Sequence, residues 1–261
     1  MTNTIVKGYL NNETEQLHLA SCGDPSLPKL VLLHQVPSHL DMYQKLMPLL
    51  SEHFFVIAPD LPGLGQSQAL SSQNIELMTV HLIKHIEAEF GKVDYLFGHH
   101  SGASVAAQWA ANSKVKALVL SGPPWLTEKQ RAGLVASVAD NTPVADGTHL
   151  VNMWAKLSAK DPQADLSVVN RELLSAIACQ GAYKQTYQAI LDHDLGQCLN
   201  TISCPTLVFA GIHDPLLTGV KPSLFVLQQG CTISPPNTGG YICDTHPQWL
   251  SEQLIQFFQN K

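Results

Sequence analysis

The sequence contains few basic residues and no long apolar run. Lys and Arg together number 15 in 261 residues, and the formal net charge is −6. Affinity for nucleic acid comes mostly from neutralising phosphates with Lys and Arg, so this composition argues against a nucleic-acid-binding protein. No apolar stretch approaches the roughly 18 residues that a membrane span needs, and residues 1–10 lack the basic start and apolar core of a signal peptide. We therefore expect a soluble cytoplasmic protein that binds neither nucleic acid nor membranes.

The six cysteines form no CxxC pair. We expect reduced thiols that pack as small apolar side chains, as is usual in the cytoplasm. Charged residues make up 14% and hydrophobic residues 45% of the chain, which excludes a disordered protein. A chain of this length can bury a large core, either as one domain or as two smaller ones.

The apolar pattern alternates between strands and helices along the chain. Strands are predicted over residues 5–10, 17–21, 29–34, 54–59, 93–97, 116–120 and 206–210, and helices over residues 40–51, 74–90, 102–111 and 248–258. Several strands are continuous apolar runs, which is typical of strands buried on both faces. This order predicts an α/β fold with a mostly parallel sheet flanked by helices.

Residues 123–200 break this alternation, because they contain helical patterns only, over 127–140, 149–160 and 166–191. We therefore divide the chain into a core of residues 1–122 and 201–261 and a helical lid of residues 123–200. An insertion at the carboxyl edge of a parallel sheet is well placed to cover a ligand, because ligands bind at that edge. A helical extension without a functional role is the alternative.

The segment LFGHHSGASV reads as a buried strand that turns sharply into a helix. The residue at the apex of such a turn stands above the sheet, and its flanks must be small because the backbone passes close to neighbouring strands. Gly98 and Gly102 provide these flanks if His100 is the apex. In the alternative register Ser101 is the apex and His99 is one of its flanks. We favour His100, because a histidine is too large for that flanking position.

This turn resembles the nucleophile elbow of the α/β-hydrolase superfamily, in which Ser, Cys or Asp usually occupies the apex. Three further segments are similar to motifs of that superfamily and follow in its order: LVLLHQVPS (30–38) to the oxyanion loop, APDLPGLGQS (58–67) to the loop after a core strand, and TLVFAGIHDP (206–215) to the turn that carries the catalytic acid. The resemblance covers the chain outside the lid. It implies an α/β-hydrolase fold with Asp214 as the acid.

The resemblance also implies an oxyanion hole, formed by the backbone N–H groups of Val36 and Ser101. Position 35 is Gln where the superfamily usually has Gly, so we expect Gln35 to present its amide to the substrate pocket. Three further residues are candidates for contacts with substrate: His34, His149 and Trp125. For each of these three, a purely structural role is the alternative.

The segment before the last helix departs from the superfamily pattern. Related chains carry a catalytic His there, but this chain has Gly240, seven residues before Pro247. Gain of an apex histidine and loss of the loop histidine have one explanation. Because Gly240 leaves that space empty, His100 can donate one ring N–H to Asp214 and present the other nitrogen as a general base. We expect no acyl-enzyme.

The other polar residues are interpreted as structural. We expect His99 to pack beneath the apex, and Asp244 to be a charge at a helix N-terminus. His81 and His85 have the H-x-x-x-H spacing of two ligands on one helix face, but Leu82 stands where zinc proteases have Glu. We therefore interpret this pair as surface residues. No metal or cofactor is predicted.

Three functions remain open. The first is a hydrolase of a small organic ester, lactone or related carbonyl compound, with water activated by His100 and Asp214. The second is a non-hydrolytic enzyme of the same fold, a lyase or a cofactor-independent oxygenase, in which the same base removes a proton. The third is a catalytically inactive protein that binds a small ligand. The pocket segments contain no cluster of Arg or Lys, so an uncharged or weakly polar substrate is favoured over a phosphate ester.

Overall fold

The computed structural model describes residues 3–11, 15–139 and 142–261. Eight strands form one sheet: β1 (Val6–Asn11), β2 (Gln16–Cys22), β3 (Lys29–Leu33), β4 (Phe55–Pro59), β5 (Tyr95–His99), β6 (Ala117–Ser121), β7 (Thr206–Phe209) and β8 (Gly230–Cys231). Their order across the sheet is β1-β2-β4-β3-β5-β6-β7-β8. The β1–β2 and β2–β4 pairs are antiparallel, and all the other pairs are parallel. The predicted mostly parallel sheet is confirmed.

The carboxyl ends of the central strands meet at one edge of the sheet. Leu33, the last residue of β3, lies opposite Gly98 in β5. Ser121, the last residue of β6, lies opposite both His99 of β5 and Phe209 of β7. The loops that follow these strands therefore start side by side, which brings segments that are distant in sequence to one place.

Helices cover both faces of the sheet. They are α1 (Met47–Leu50), α2 (Ile75–Phe90), α3 (Ser101–Asn112), α4 (Glu128–Ala139), α5 (Thr148–Ala159), α6 (Leu166–Ala178), α7 (Gln180–Asp192), α8 (Leu195–Asn200), α9 (Val220–Val226), α10 (Ile242–Thr245) and α11 (Pro247–Gln259). On one face α2 packs against α3, which buries Trp109 completely. On the other face α1 packs against α11, and Phe54 meets Phe258 edge to face. Among the helices that the structure describes, none combines the length and the apolar character required to cross a bilayer.

The chain between β6 and β7 consists of helices α4 to α8. Helix α5 packs against α6 and α4 packs against α7, whereas α8 packs against α3 of the core. The division into a core and a lid that covers a ligand stays a prediction. Its boundary near residue 200 places α8 with the lid, although the contacts of α8 join it to the core.

Several predicted elements differ in extent from the observed ones. Residues 40–51 form a 3-10 turn (Leu40–Tyr43) and the single turn α1 instead of one helix. Pro48 explains this, because it has no N–H for a helical hydrogen bond and its ring clashes with the preceding turn. Residues 166–191 form two helices that meet at Cys179. In the helix predicted over 127–140, Asp140 lies outside the described residues.

Candidate active site

His100 stands at the turn between β5 and α3. Its backbone has φ 50° and ψ −116°, and it is the one non-glycine residue with positive φ in the described part of the chain. The turn needs glycine on both sides, because a Cβ on Gly98 would collide with the Gly102 carbonyl and a Cβ on Gly102 would collide with that of Leu33. The structure therefore places His100, and not Ser101, at the apex. Strained backbone of this kind clusters at functional sites.

The imidazole of His100 is hydrogen-bonded to the carboxylate of Asp214. Nε2 lies 2.8 Å from Oδ2, and both residues are buried. Burial raises the pKa of Asp214, but the charge and the hydrogen bond of His100 outweigh this effect and leave the pKa below its ordinary value. An ionised Asp214 accepts the Nε2–H, so Nδ1 is the ring nitrogen left to act as a base. Among the described residues, no hydrogen-bond partner faces Nδ1.

The His100 ring fits between two glycine backbones. A Cβ on Gly240 would lie 3.3 Å from Cε1 of the ring, and a Cβ on Gly122 would lie 2.6 Å from Cδ2. Gly122 directly follows β6 with a positive φ of 59°. Gly240 donates its N–H to the Lys160 carbonyl at 2.9 Å. Because glycine has no side chain, these two positions leave space for the ring beside Asp214.

His99 packs beneath His100, as predicted, and its ring is hydrogen-bonded on both sides. Nε2 lies 3.0 Å from the Gly240 carbonyl oxygen, and Nδ1 lies 3.0 Å from Oγ of Ser121. A carbonyl only accepts, so Nε2 carries the proton and Nδ1 accepts from the hydroxyl. The His99 and His100 rings stack with centroids 4.1 Å apart. Burial and the neighbouring His100 lower the pKa of His99 to about 3, so it supports the apex as a neutral ring.

The amide expected to line the oxyanion hole is bonded within the protein. The Val36 N–H donates to Oγ of Ser101 at 2.7 Å, so the expectation of two free backbone donors is wrong for Val36. The Ser101 hydroxyl satisfies that buried N–H, as buried donors require. Its own proton remains available, because a hydroxyl accepts and donates at once. Both residues line the cavity over His100.

This cavity has a volume of about 280 Å³. Its wall is mainly apolar and is formed largely by the segment after β6, helices α4 and α7 and the Asp214 loop: Pro124, Leu126, Leu134, Ile190, Pro215 and Leu216. Polar side chains also reach the wall: His100, Ser101, Gln130, Lys160 and Tyr187. The Tyr187 hydroxyl donates to the Val36 carbonyl at 2.9 Å. An apolar cavity with a few convergent polar groups is typical of a small-molecule site.

Lys160 is a cavity residue that the sequence did not indicate. It follows helix α5, lines the cavity, and holds the Gly240 N–H with its carbonyl. Burial lowers the pKa of its ammonium group, and the carboxylates of Glu172 and Asp214 oppose this effect in part. Among the described residues, none forms an ion pair or a hydrogen bond with that ammonium. No sequence motif marks this lysine, because its position depends on how the end of α5 packs on the Gly240 loop.

Gln35 and His34 are absent from the cavity wall, where they were expected. The amide nitrogen of Gln35 lies 3.0 Å from Oε2 of Glu172, a buried carboxylate of α6. His34 accepts the Leu61 N–H through Nε2 at 2.8 Å and donates from Nδ1 to the Gln35 carbonyl at 2.9 Å. Buried polar groups need partners, and these two side chains serve that need.

Trp125 and His149 are also absent from the cavity wall. The Trp125 ring lies against Gly196 of α8, in space that the glycine leaves open, while the residues on either side of Trp125 line the cavity. His149, in the first turn of α5, accepts through Nδ1 the N–H of Val144 from the preceding loop, at 3.3 Å. Both residues have structural contacts, and neither lines the cavity in this arrangement.

A buried ion-pair network joins α6 to the core beside the site. Arg171 binds both carboxylate oxygens of Asp244 at 2.7 and 2.8 Å and also binds Glu172 at 2.8 Å. The Ser38 hydroxyl donates to Glu172 at 2.7 Å, which links the network to the loop after β3. Asp244 does lie in the first turn of α10, but its carboxylate is engaged by Arg171, which the sequence did not reveal.

Comparisons with known proteins agree with this fold. A model of the α/β-hydrolase fold family matches residues 28–219. The pimeloyl-[acyl-carrier protein] methyl ester esterase of Chromobacterium violaceum is 26% identical over 200 residues, which are 72% of this chain and 77% of the esterase. The soluble epoxide hydrolase of Corynebacterium sp. strain C12 is 35% identical over 114 residues, which are 42% of this chain and only 36% of that enzyme.

Solved structures share the whole architecture. The 2-hydroxy-6-oxo-6-phenylhexa-2,4-dienoate hydrolase of Rhodococcus sp. strain RHA1 superposes with a TM-score of 0.80 at 20% identity, over 98% of this chain and 99% of that chain. At this level of identity the likeness shows the fold and leaves the substrate open.

Proposed function

The chain belongs to the α/β-hydrolase superfamily, and from this premise we propose that it hydrolyses a small organic ester, lactone or related carbonyl compound. The observation that carries the proposal is the 2.8 Å hydrogen bond between His100 and Asp214 on the wall of a small cavity. A carboxylate makes an imidazole a better general base, because it fixes the orientation of the ring and stabilises the imidazolium that forms. Because the base itself occupies the apex, we assign attack on the substrate to water and not to an enzyme side chain.

His100 moves the proton in the proposed reaction. Nδ1 takes a proton from a water molecule in the cavity as the water oxygen bonds to the substrate carbonyl carbon. Asp214 stabilises the imidazolium that forms. The imidazolium then returns the proton to the leaving oxygen as the carbon–oxygen bond breaks. An ester gives an acid and an alcohol, a lactone gives a hydroxy acid, and no bond forms between enzyme and substrate.

Ser101 stabilises the oxyanion in this proposal. Its hydroxyl accepts the Val36 N–H at 2.7 Å and donates its own proton to the substrate oxygen. The hydroxyl therefore takes the place of the Val36 N–H as the donor to the oxyanion. The Ser101 backbone N–H is a second donor, because the first N–H groups of a helix have no acceptor within the helix. Donors fixed at the place where charge develops lower the barrier most effectively.

Lys160 extends the proposal to the substrate class. The sequence favoured an uncharged substrate because it showed no basic cluster, but this lysine adds a cation to a mainly apolar wall. Burial of the ammonium group makes an anionic partner favourable, since an unpaired buried charge is costly. We therefore assign to this site esters or lactones that carry one carboxylate in addition to the reacting carbonyl.

The test is turnover of a panel of short esters and lactones, with and without a carboxylate, by the wild-type chain and by His100→Gln. The proposal predicts turnover by the wild type and a loss of about 10²–10⁴-fold in the variant, the usual contribution of a general base. Circular dichroism of both proteins provides the control for folding. A wild-type chain that binds panel members without converting any would identify an inactive binding protein.

A second candidate is a lyase or cofactor-independent oxygenase, in which His100 removes a proton from the substrate. The apex residue, His100, has no hydroxyl or thiol. This favours the second candidate, because such reactions need a base and no nucleophile. Products distinguish the two functions. A lyase gives an unsaturated or cleaved product without addition of water, and a hydrolase incorporates one oxygen atom from labelled water.

A further inference from the structure

His81 and His85 lie on the same side of helix α2, because they are four residues apart. Each is only 7% exposed, so the interpretation of this pair as surface residues is wrong. Their rings are close together, with centroids 4.2 Å apart. The proposed reaction uses neither ring.

Glu15, directly before β2, brings a carboxylate to the pair. Its Oε2 lies 3.4 Å from Nε2 of His85, and its Oε1 lies 3.8 Å from Nδ1 of His81. One ligand atom from each of the three residues lies within 4.8 Å of the others. Ligand atoms at about 2.0–2.1 Å from a tetrahedral zinc ion are about 3.3 Å apart, so a small closure of these side chains would enclose an ion.

His85 turns its Nε2 towards this carboxylate, 3.4 Å from Oε2. Its Nδ1 lies 2.8 Å from the His81 carbonyl oxygen, which can only accept, so Nδ1 carries a proton and Nε2 is the ring nitrogen placed to bind an ion. Metal-bound histidines in proteins almost always donate their second ring N–H in this way, which fixes the ring and the tautomer. Imidazole and carboxylate together are ligands that suit zinc and its divalent neighbours.

One side of the cluster opens on a surface groove of about 630 Å³, whose lining includes Glu15, His81 and Lys84. An ion held by three side chains would therefore have a fourth position open to water. Lys84 is exposed, and its ammonium lies 3.2 Å from Oε2 of Glu15. This lysine competes with any cation for the carboxylate.

We propose that Glu15, His81 and His85 bind one divalent transition-metal ion, with zinc as the best match to the ligand set. The ion would fasten the start of β2 to the middle of α2. These residues are separate from those of the cavity over His100, so the inference stands independently of the proposed hydrolysis.

Zinc titration of the untagged full chain, after treatment with a chelator, tests the proposal by calorimetry. We expect one ion per chain, an affinity at least about tenfold lower in His81→Ala and in His85→Ala, and intense visible absorption when cobalt replaces zinc. His53→Ala, which removes a histidine outside the cluster, is the control. Equal zinc affinity in the wild type and in both His variants would overturn the assignment.

Lys84→Met is a second test, needed because a His variant that misfolds would also lose zinc binding. Because Lys84 is exposed and pairs with Glu15, its removal should leave the fold intact and strengthen zinc binding several-fold. A gain of affinity does not arise from damaged structure. Unchanged or weaker binding in Lys84→Met would remove Glu15 from the ligand set and overturn the three-residue site.

Discussion

Gly240 and the ring of His100 share one space: a Cβ on Gly240 would lie 3.3 Å from Cε1 of the ring. Position 240 has no side chain, and the apex imidazole reaches Asp214 beside it. We propose that the apex histidine and the glycine at position 240 form one arrangement, in which the imidazole fills the space that the glycine leaves.

Gly122→Ala should reduce activity without removing any reacting group. The new Cβ would lie 2.6 Å from Cδ2 and 2.9 Å from Nε2 of His100, so the ring must move away from Asp214. Misplacement of a catalytic group by about 1 Å costs about a hundredfold in rate. The measurement is kcat for the best ester of the panel.

Gly91→Ala is the matched control for that variant. Gly91 also has a positive φ, of 78°, but a Cβ there meets nothing within 4 Å. An alanine there also places a side chain at a positive φ but makes no contact with the catalytic ring, so its kcat should equal that of the wild type. Equal losses in both variants would show that strain, and not the position of His100, causes the effect.

Lys160→Met should weaken binding of anionic substrates selectively. The variant keeps the length and apolar stem of the side chain and removes the ammonium group from the cavity wall. Hydrogen bonds to charged groups contribute about 1.5–3 kcal/mol, so KM for an ester that carries a carboxylate should rise at least about tenfold. KM for the neutral ester of the same shape should stay close to the wild-type value. An equal rise for both esters would remove the carboxylate from the proposal.

His99→Gln should make the chain less sensitive to acid. Burial and His100 lower the pKa of His99 to about 3 in the folded state, from 6.5 for a free ring. Between these two values the unfolded chain binds the extra proton, so His99 contributes stability that is present above pH 6.5 and is lost as the pH falls towards 3. The slope of unfolding free energy against pH in this window should decrease by up to about 1.4 kcal/mol per pH unit in the variant.

Urea unfolding at a series of pH values measures that slope. Glutamine can donate to the Gly240 carbonyl and accept from Ser121, so the variant retains the polar contacts of His99. His149→Gln, at a histidine outside the buried core, is the control, because it also replaces one histidine and leaves the buried ring in place. Parallel curves for His99→Gln and the wild type would contradict a neutral His99.

Arg171→Met should destabilise the fold strongly. The substitution leaves the buried carboxylates of Glu172 and Asp244 without their cation. Removal of one partner of a buried ion pair costs about 3–5 kcal/mol, and urea unfolding at neutral pH measures the loss. The double variant Arg171→Met/Asp244→Asn should recover part of it, because one stranded charge is removed. A single variant as stable as the wild type would show that the network contributes nothing.

The sequence indicates the fold and part of the site, because those features follow from local patterns. Continuous apolar runs predict the central strands, and the glycine spacing around His100 predicts the apex. The pairing of His100 with Asp214 could be predicted from Gly240, because a residue without a side chain leaves space there for the apex imidazole.

The rest depends on contacts between segments that are distant in sequence. Lys160 reaches the cavity through the packing of the α5 end on the Gly240 loop, and no local pattern marks it. Gln35 faces Glu172 because a buried carboxylate on α6 needs donors, which is visible only when both are placed. The Val36 N–H is occupied because Ser101 lies beside it, a relationship that neither segment reveals alone.

The most direct test of the central claim compares kcat/KM of the wild type, His100→Gln and Ser101→Ala on one activated ester. If His100 is the base and water attacks, His100→Gln loses about 10²–10⁴-fold. Ser101→Ala should retain most activity, because removal of its hydroxyl frees the Val36 N–H, now bonded to Oγ at 2.7 Å, to bind the oxyanion directly. Loss of activity in Ser101→Ala together with an active His100→Gln would contradict the account and identify Ser101 as the nucleophile.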